Sequence, residues 1–417
     1  MFANLFDAIV SAIVLLFFAW TLYNLPAFAV GIKCLRKRRP ANNESQLNEG
    51  GLPSFSIIVP MKDEVKVARR ILESLLKLNY PPEKFEILVV DDCSMDGTSA
   101  ICKEFADRFP KRIKYLYKSV SKGKPSALNH ALKFVKGDVV AVFDADNVPE
   151  PNTLAKVVKY FRDPNVAAVQ GLVCSINAEE NMLTKIVYYE GLLQYQVFLQ
   201  GKDKLGLFVP FAGSCQFIQR KILEETGGWL DDSLSEDLEL SAVLMEKGYT
   251  IKFASDVCSW QENPSSFGEL MKQRLRWFRG CMEVGLRYGR LMRCLDRRSL
   301  DAEVFFFGPL ILAFSVVGYL LGTYSFLAPI SFGSIPKFLA QFASIFMWAT
   351  LFFAGVGLVY ANKSRRLGNV KWLPFIYLYW SLQTFVALYA LGQIILRRPR
   401  KWHKTARSGT VTNYVLE

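Results

Sequence analysis

The stretch VVAVFDADNVPEP, Val139 to Pro151, decides how the middle of this chain is read. Its apolar run has the composition of a buried strand, and it stops at two aspartates one residue apart, Asp144 and Asp146. Residues i and i+2 of a strand point to the same side. Two carboxylates held that way repel, and each raises the other's pKa unless a cation sits between them. The identity of that cation is the first question the sequence poses.

Upstream, the sequence predicts a regular alternation. FSIIVPMKDE (Phe55 to Glu64) is an apolar strand ending at Pro60, and VARRILESLLKLNY follows with Val67, Ile71, Leu75 and Leu78 at helical spacing. FEILVVDDCSMDGTSAICKEFA reads as strand, polar turn and helix, IKYLYKS as a third strand, KPSALNHALKFV as a helix, and DVVAVFDAD as the fourth strand. Strands alternating with helices imply an α/β fold built of parallel crossover units, in which ligands bind at the carboxyl ends of the strands. Pro60, Asp91, Asp92 and Asp144 fall at those ends. There is no GxGxxG and no P-loop, so an ordinary dinucleotide or NTPase site is excluded.

The segment VVDDCSMDGT admits a bland reading, a turn whose Asp96 and Thr98 shape and cap the next helix. The repetition of the device weighs against that reading as the whole story. A second strand of the same sheet also ends in paired acids, and a divalent ion with oxygen ligands, Mg²⁺ or Mn²⁺, would relieve the crowding. Such ions keep waters and take a substrate's phosphates as further ligands, so a phosphate-bearing substrate is expected. Downstream, SED (Ser235 to Asp237) stands at a helix start, where Ser235 suits a cap and Glu236 and Asp237 suit the dipole. The alternative makes Asp237 a general base. QRLRW (Gln273 to Trp277) lies on an amphipathic helix. It is either a membrane-surface segment or a site where Arg276 neutralises a diphosphate and Trp277 stacks on a sugar.

Four stretches lack charge for about 25 residues or more: Ala8 to Ile32, Val304 to Pro336, Phe338 to Asn362 and Trp372 to Leu396. Roughly 20 apolar residues cross a bilayer, so these are expected to be spans. KCLRKRR (Lys33 to Arg39) follows the first, which is the reverse of a signal peptide's charge order and puts the middle of the chain in the cytoplasm. If all three later stretches cross once, the basic tail RRPRKWHKTARSG and the basic loop KSRRLGNVK fall on opposite sides. Pro309, Pro329 and Pro336 allow a re-entrant piece in the Val304 stretch, and the topology stays open. The net charge of +13 gathers at the span edges, where anionic headgroups attract it, so nucleic acid is not expected as a partner. The eight cysteines show no CxxC spacing, and zinc is not expected. The division expected is a first span with its basic flank over 1–39, a catalytic domain over 50–280 and an amphipathic interfacial segment over 281–303. A membrane region follows over 304–396, then a basic tail over 397–417.

Taken in order, VDD (Val90 to Asp92), DAD (Asp144 to Asp146), ED (Glu236, Asp237) and QRLRW resemble the motifs of the membrane-integrated family 2 glycosyltransferases. That group includes cellulose, hyaluronan, chitin-oligosaccharide and poly-N-acetylglucosamine synthases and related glycolipid-forming enzymes. The resemblance covers about Ser54 to Gly280. It implies a GT-A (Rossmann-like) fold and inversion at the anomeric carbon. On that resemblance Asp91 and Asp92, with Asp63 or Glu64 and with Pro60 nearby, contact the nucleotide. Asp144 faces the donor and shares the metal with Asp146, Lys124 reaches a phosphate, and Asp237 is the base. Glu236, Gln273, Arg276 and Trp277 line the diphosphate and acceptor side. The implied donor is a nucleotide sugar, UDP favoured. The leading expectation is a processive enzyme that extends a polysaccharide and exports it through its own spans, and the alternative is a non-processive enzyme acting on a membrane lipid. The chain departs from the family with Asp63 where an Asn is common, and it lacks the FxVTxK-type loop of cellulose synthases. Its tail resembles the ends of several members, with no role legible from sequence.

Overall fold

A computed structural model of the chain describes residues 2–37, 51–289, 296–327, 334–361, 367–400 and 404–412. The four strands expected from sequence are all present: β1 (Phe55–Met61), β2 (Phe85–Asp91), β3 (Ile113–Tyr117) and β4 (Val139–Val142). They are mutually parallel, paired β3-β2-β1-β4. Helices Ala68–Leu76, Thr98–Arg108 and Lys124–Leu132 make the crossovers. These strands are apolar on both sides because both faces are covered. Ile57, Val59 and Val89 pack toward Ile71 and Leu75, whereas Ile58, Leu88 and Val90 pack toward Leu128.

Beyond β4 the sheet becomes mixed. The further strands are β5 (Val148–Pro149), β6 (Val166–Ser175), β7 (Gln216–Gln219) and β8 (Thr250–Gln261), and the full order is β3-β2-β1-β4-β7-β6-β8-β5. β7 lies antiparallel between β4 and β6, so purely parallel crossover geometry holds for only half of the sheet.

One expectation is corrected here. β4 ends at Val142, and Asp144 and Asp146 lie after the strand rather than on it. The backbone N–H of Asp144 is taken by the Ser214 hydroxyl at 3.0 Å, and Asn147 N–H turns back to the Asp144 carbonyl at 3.0 Å. The aspartates therefore flank a turn, and the same-side geometry of a strand does not govern them.

Among the described residues two helical segments are long and apolar enough to cross a membrane, Asp7–Lys37 and Leu367–Ile395. A third is bent, Arg297–Phe306 meeting Gly308–Gly318 at 51°, within the stretch whose prolines allowed a broken span. The remaining apolar stretch is helical over Ser334–Ala361. Residues 38–39, 290–295 and 363–366, and Trp402, all of them part of the basic segments read from sequence, lie outside the described residues.

The N-terminal helix is fitted to the helical segment 192–204 by close backbone contact. A Cβ on Gly201 would stand 1.8 Å from the Ala27 carbonyl oxygen, and one on Gly31 would stand 1.9 Å from that of Val197. A buried polar knot adds to this, with Tyr23 donating to Asp301, which also pairs with Lys202 at 2.9 Å. The last span is tied by Arg274, which pairs with Glu190 at 2.6 Å and donates to the Tyr379 hydroxyl at 2.7 Å.

Candidate active site

The carboxyl ends of the parallel strands open onto a cavity of about 1450 Å³ that continues between the apolar helices. Pro60, Glu64, Asp92, Lys124, Asp144, Asp146, Glu236, Asp237, Gln273, Arg276 and Trp277 all line it. Residues spread over more than two hundred positions of sequence are thus brought to one wall, because the crossover topology stacks the strand ends side by side. Two expected residues are not on the lining. Asp91 is fully buried, and its carboxylate accepts from Ser94 N–H at 2.9 Å, Tyr115 hydroxyl at 2.8 Å and the Ser99 hydroxyl. Burial pushes its pKa up, but these hydrogen bonds outweigh burial and hold it below the usual range. Asp91 organises the turn from inside, and of the two neighbouring acids it is Asp92 that lines the cavity. Asp63, in a left-handed conformation (φ 53°), accepts from Met95 N–H at 2.7 Å and shapes the rim.

Lys124 sits among carboxylates. Its ammonium lies 2.7 Å from Asp144 and 3.1 Å from Glu236, and it donates to the Gly213 carbonyl at 2.6 Å. Gly213 is left-handed (φ +80°), the backbone state that glycine adopts at least cost, and this aims its carbonyl at the lysine. Burial works against the ammonium's charge, yet Asp144 and Glu236 outweigh it and raise the pKa. Two carboxylates and a carbonyl oxygen thus surround the Lys124 ammonium, which serves here as counter-charge to the acids.

Asp237 is part-exposed on the cavity wall, one residue from buried Glu236. Burial, reinforced by the Glu236 charge, pushes its carboxyl up to about 7, with Lys124 and Arg276 pulling the other way. A carboxylate near neutrality is poised to take a proton. Arg276 donates to the Leu234 carbonyl at 3.2 Å, and its Nε–H is buried without a partner among the described residues. An unpaired buried guanidinium donor beside a cavity is a ready anion site. The guanidinium of Arg274 stacks on the neighbouring Trp277 ring at 4.3 Å, leaving the ring 39% exposed.

Asp146 is paired by a residue that sequence reasoning did not single out. Arg407, from the basic tail, lies 3.2 Å from it and also donates to the Glu262 carbonyl at 2.7 Å. Burial raises the Asp146 pKa, Arg407 lowers it and Asp144 raises it again. Lys404 pairs with Glu64 at 3.2 Å. Burial pushes Glu64 up to about 7 against the pull of Lys404. Glu262 closes β8 as the other acids close their strands, and that position was its signal in the sequence. It pairs with Arg70 at 2.6 Å and accepts from Ser408 and Gly409 N–H.

Among the described residues no three His, Cys, Asp or Glu side chains converge as a ready-made metal cage. Mg²⁺ and Mn²⁺ ask for less, one or two carboxylates with waters and substrate phosphate. Asp144 and Asp146 provide two hard oxygen donors on one cavity wall, and each already carries a positive partner. That donor set fits such an ion.

A family profile described as "Glycosyltransferase like family 2" matches residues 53–280. The chain is 33% identical over 259 residues to the probable glycosyltransferase YdaM of Bacillus subtilis (strain 168), covering 61% of this chain and 62% of that relative's length. It is 30% identical over 389 residues to the beta-monoglucosyldiacylglycerol synthase of Nostoc sp. (strain PCC 7120), covering 89% of this chain and 80% of the other. Among solved structures, the mannosyltransferase PcManGT from Pyrobaculum calidifontis, in complex with GDP-Man and Mn²⁺, superposes with a TM-score of 0.61. The match covers 94% of this chain and 100% of that one at 21% identity, a likeness of fold.

Proposed function

We propose, from the premise that this chain belongs to the glycosyltransferase-like family 2, that it transfers a hexose from a nucleotide sugar to a hydroxyl of a membrane lipid. The observation that carries the reading is the single cavity that holds Asp237, Arg276 and Asp144 and runs on along the membrane helices, past Trp20, Phe28, Leu312 and Trp380. An acceptor hydroxyl reaches Asp237 from that side without its acyl chains leaving an apolar wall. The synthase of Nostoc, matched over most of both chains, is named for a diacylglycerol product, which supports a lipid acceptor here. The enzyme is read as membrane-integral, with the catalytic sheet on the cytoplasmic side where the basic flank after the first span places it.

In this mechanism the nucleotide of a UDP-sugar packs near Pro60, Glu64 and Asp92. Asp144 and Asp146 would hold a Mg²⁺ or Mn²⁺ ion, which supplies positive charge to the diphosphate. Arg276 donates its free Nε–H to the departing diphosphate as charge grows there. Lys124 fixes Asp144 and Glu236, and Glu236 in turn keeps Asp237 basic enough to accept the acceptor's proton. The acceptor oxygen attacks the anomeric carbon from the face opposite the diphosphate. A carbon–oxygen bond forms as the bond to the phosphate oxygen breaks, the electron pair leaves on the diphosphate, and configuration inverts. Trp277 and Gln273 position the acceptor.

The processive reading keeps one supporting feature, the aromatic face of Trp277 at the cavity, which would hold a growing glycan equally well. Product size separates the two. Purified protein with Mn²⁺ and radiolabelled nucleotide sugars is expected to put label into a small, organic-extractable product when diacylglycerol is present. Label confined to a high-molecular-weight, water-soluble glycan would overturn the lipid reading, and no nucleoside diphosphate release with any donor would overturn transferase activity altogether.

A further inference from the structure

The tail RRPRKWHKTARSG is the one sequence motif that the proposed reaction leaves without a role. Its residues 404–409 lie along the acidic end of the sheet, and Lys404, Thr405 and Arg407 enter the cavity lining. We propose that Arg407 stands in for the divalent ion at Asp146, so that this guanidinium and a metal ion exclude one another at that carboxylate. The inference rests on Asp144 and Asp146 being the metal's holders.

Asp146 is 2% exposed, and a carboxylate so buried is stable only with a positive partner. Arg407, 12% exposed at its side chain, supplies it at 3.2 Å on Oδ2, the same oxygen that accepts Glu262 N–H at 3.1 Å. A Mg²⁺-sized ion binds carboxylate oxygen at about 2.0–2.1 Å. With Arg407 and the Glu262 N–H both on Oδ2, an ion is left only Oδ1 of the same carboxylate, and there the two cations repel at close range. The arrangement also lets Arg407 yield without releasing the tail. Ser408 and Gly409 N–H hold Glu262 Oε2 at 3.1 and 3.2 Å, and Thr412 N–H holds the Ile176 carbonyl at 2.9 Å. None of these touches Asp146. The remaining charged groups facing the pair are already matched, Glu64 by Lys404 and Glu262 by Arg70, so Arg407 is the cation whose departure the incoming charge compensates.

The test titrates the purified full-length protein with Mn²⁺ alone and reads free Mn²⁺ by electron paramagnetic resonance. Asp146→Asn is expected to weaken binding at least about tenfold. Arg407→Gln is expected to tighten it about tenfold, or about 1.4 kcal/mol. Arg400→Gln removes the same charge from the tail, but Arg400 pairs with Glu283, and this variant is expected to stay within about twofold of wild type because distant charge is screened. Binding in Arg407→Gln that equals or falls below wild type, while Asp146→Asn still weakens it, would overturn the competition and leave the metal reading standing. Equal binding by Asp146→Asn and wild type, or none in any variant, would overturn both.

Discussion

Replacing Asp237 with Asn keeps the shape of the side chain and removes both the proposed base and a part-buried charge. Those two losses have opposite consequences. In the folded protein burial and the Glu236 charge lift the carboxyl from 3.8 to about 7. Between these values the native state binds a proton that the unfolded chain has given up, so stability falls as pH rises through that window. The loss is complete above pH 7 and absent below 3.8, and the full interval corresponds to about 4 kcal/mol. Asn escapes that cost but forfeits the attraction of Lys124 and Arg276, so a net stabilisation of about 1–3 kcal/mol is expected at pH 8. Activity moves the other way. Loss of a general base lowers kcat about 10²–10⁴-fold, and in the wild type kcat/KM should rise tenfold per pH unit up to about pH 7 and then level. The assay pairs nucleoside diphosphate release from pH 5 to 9 with thermal melts of both proteins in detergent at pH 5 and pH 8. The melting advantage of Asp237→Asn must be larger at pH 8 than at pH 5. A flat wild-type rate profile across neutrality, or a melting difference independent of pH, would refute the assignment of a perturbed carboxylate base to Asp237.

Lys124→Gln removes a charge that lowers the Asp237 pKa, so the acid limb of the kcat/KM profile should move above pH 7, and an unmoved limb would show that Lys124 does not act on the base. Arg276→Lys keeps the charge but loses the planar donor set, and inhibition by the product nucleoside diphosphate should weaken about tenfold by competition assay. Gly201→Val places a Cβ against the Ala27 carbonyl, where no side chain can give way, and a loss of about 1–3 kcal/mol is expected. It should appear as a lowered melting temperature with earlier proteolytic loss of the N-terminal helix, whereas an unchanged melt would mean that the helix does not depend on this crossing.

How much of this was legible in the sequence follows from how local each feature is. The runs FSIIVP, FEILVV, IKYLY and DVVAVF carry their own evidence, since a strand buried on both faces must be apolar throughout and must stop at turn residues. The acids at their ends could be nominated because parallel topology brings strand ends together, whereas Asp237 and Arg276, both on helices, were nominated by the SED and QRLRW motifs and their resemblance to a family. What the sequence could not supply was the pairing of charges. Asp144 and Asp146 look like one pair in DAD, but a serine 70 residues away turns the chain between them, and each finds a separate cation. Nothing in KGKPSALN shows that Lys124 stands between Asp144, Glu236 and the Gly213 carbonyl. Arg407 looked like a surface charge of a basic tail because nothing within the tail shows that it folds back on Asp146. The antiparallel insertion of β7 between β4 and β6 escaped for the same reason: pairing between distant strands leaves no periodic trace.

The opening question, which cation stands between the two aspartates, thus has a more specific answer than a metal ion alone. In the protein as it folds from its own residues, Asp144 is neutralised by Lys124 and Asp146 by Arg407, and the two bases come from opposite ends of the catalytic unit. Lys124 is fixed, held by Glu236 and the Gly213 carbonyl inside the sheet. Arg407 belongs to a tail that is attached to the sheet by backbone bonds and follows directly on the last membrane helix. The asymmetry has a chemical logic. The carboxylate beside the base, Asp144, keeps a permanent partner, so the charge around Asp237 stays constant through a catalytic cycle. On the proposed exchange Asp146, the more buried of the two, keeps a replaceable partner, so it would not be left bare without a metal ion. Burying acids this deeply at the end of a sheet is sustainable only if some cation is always at hand. On the proposed exchange, Arg407 is that cation whenever a metal ion is absent.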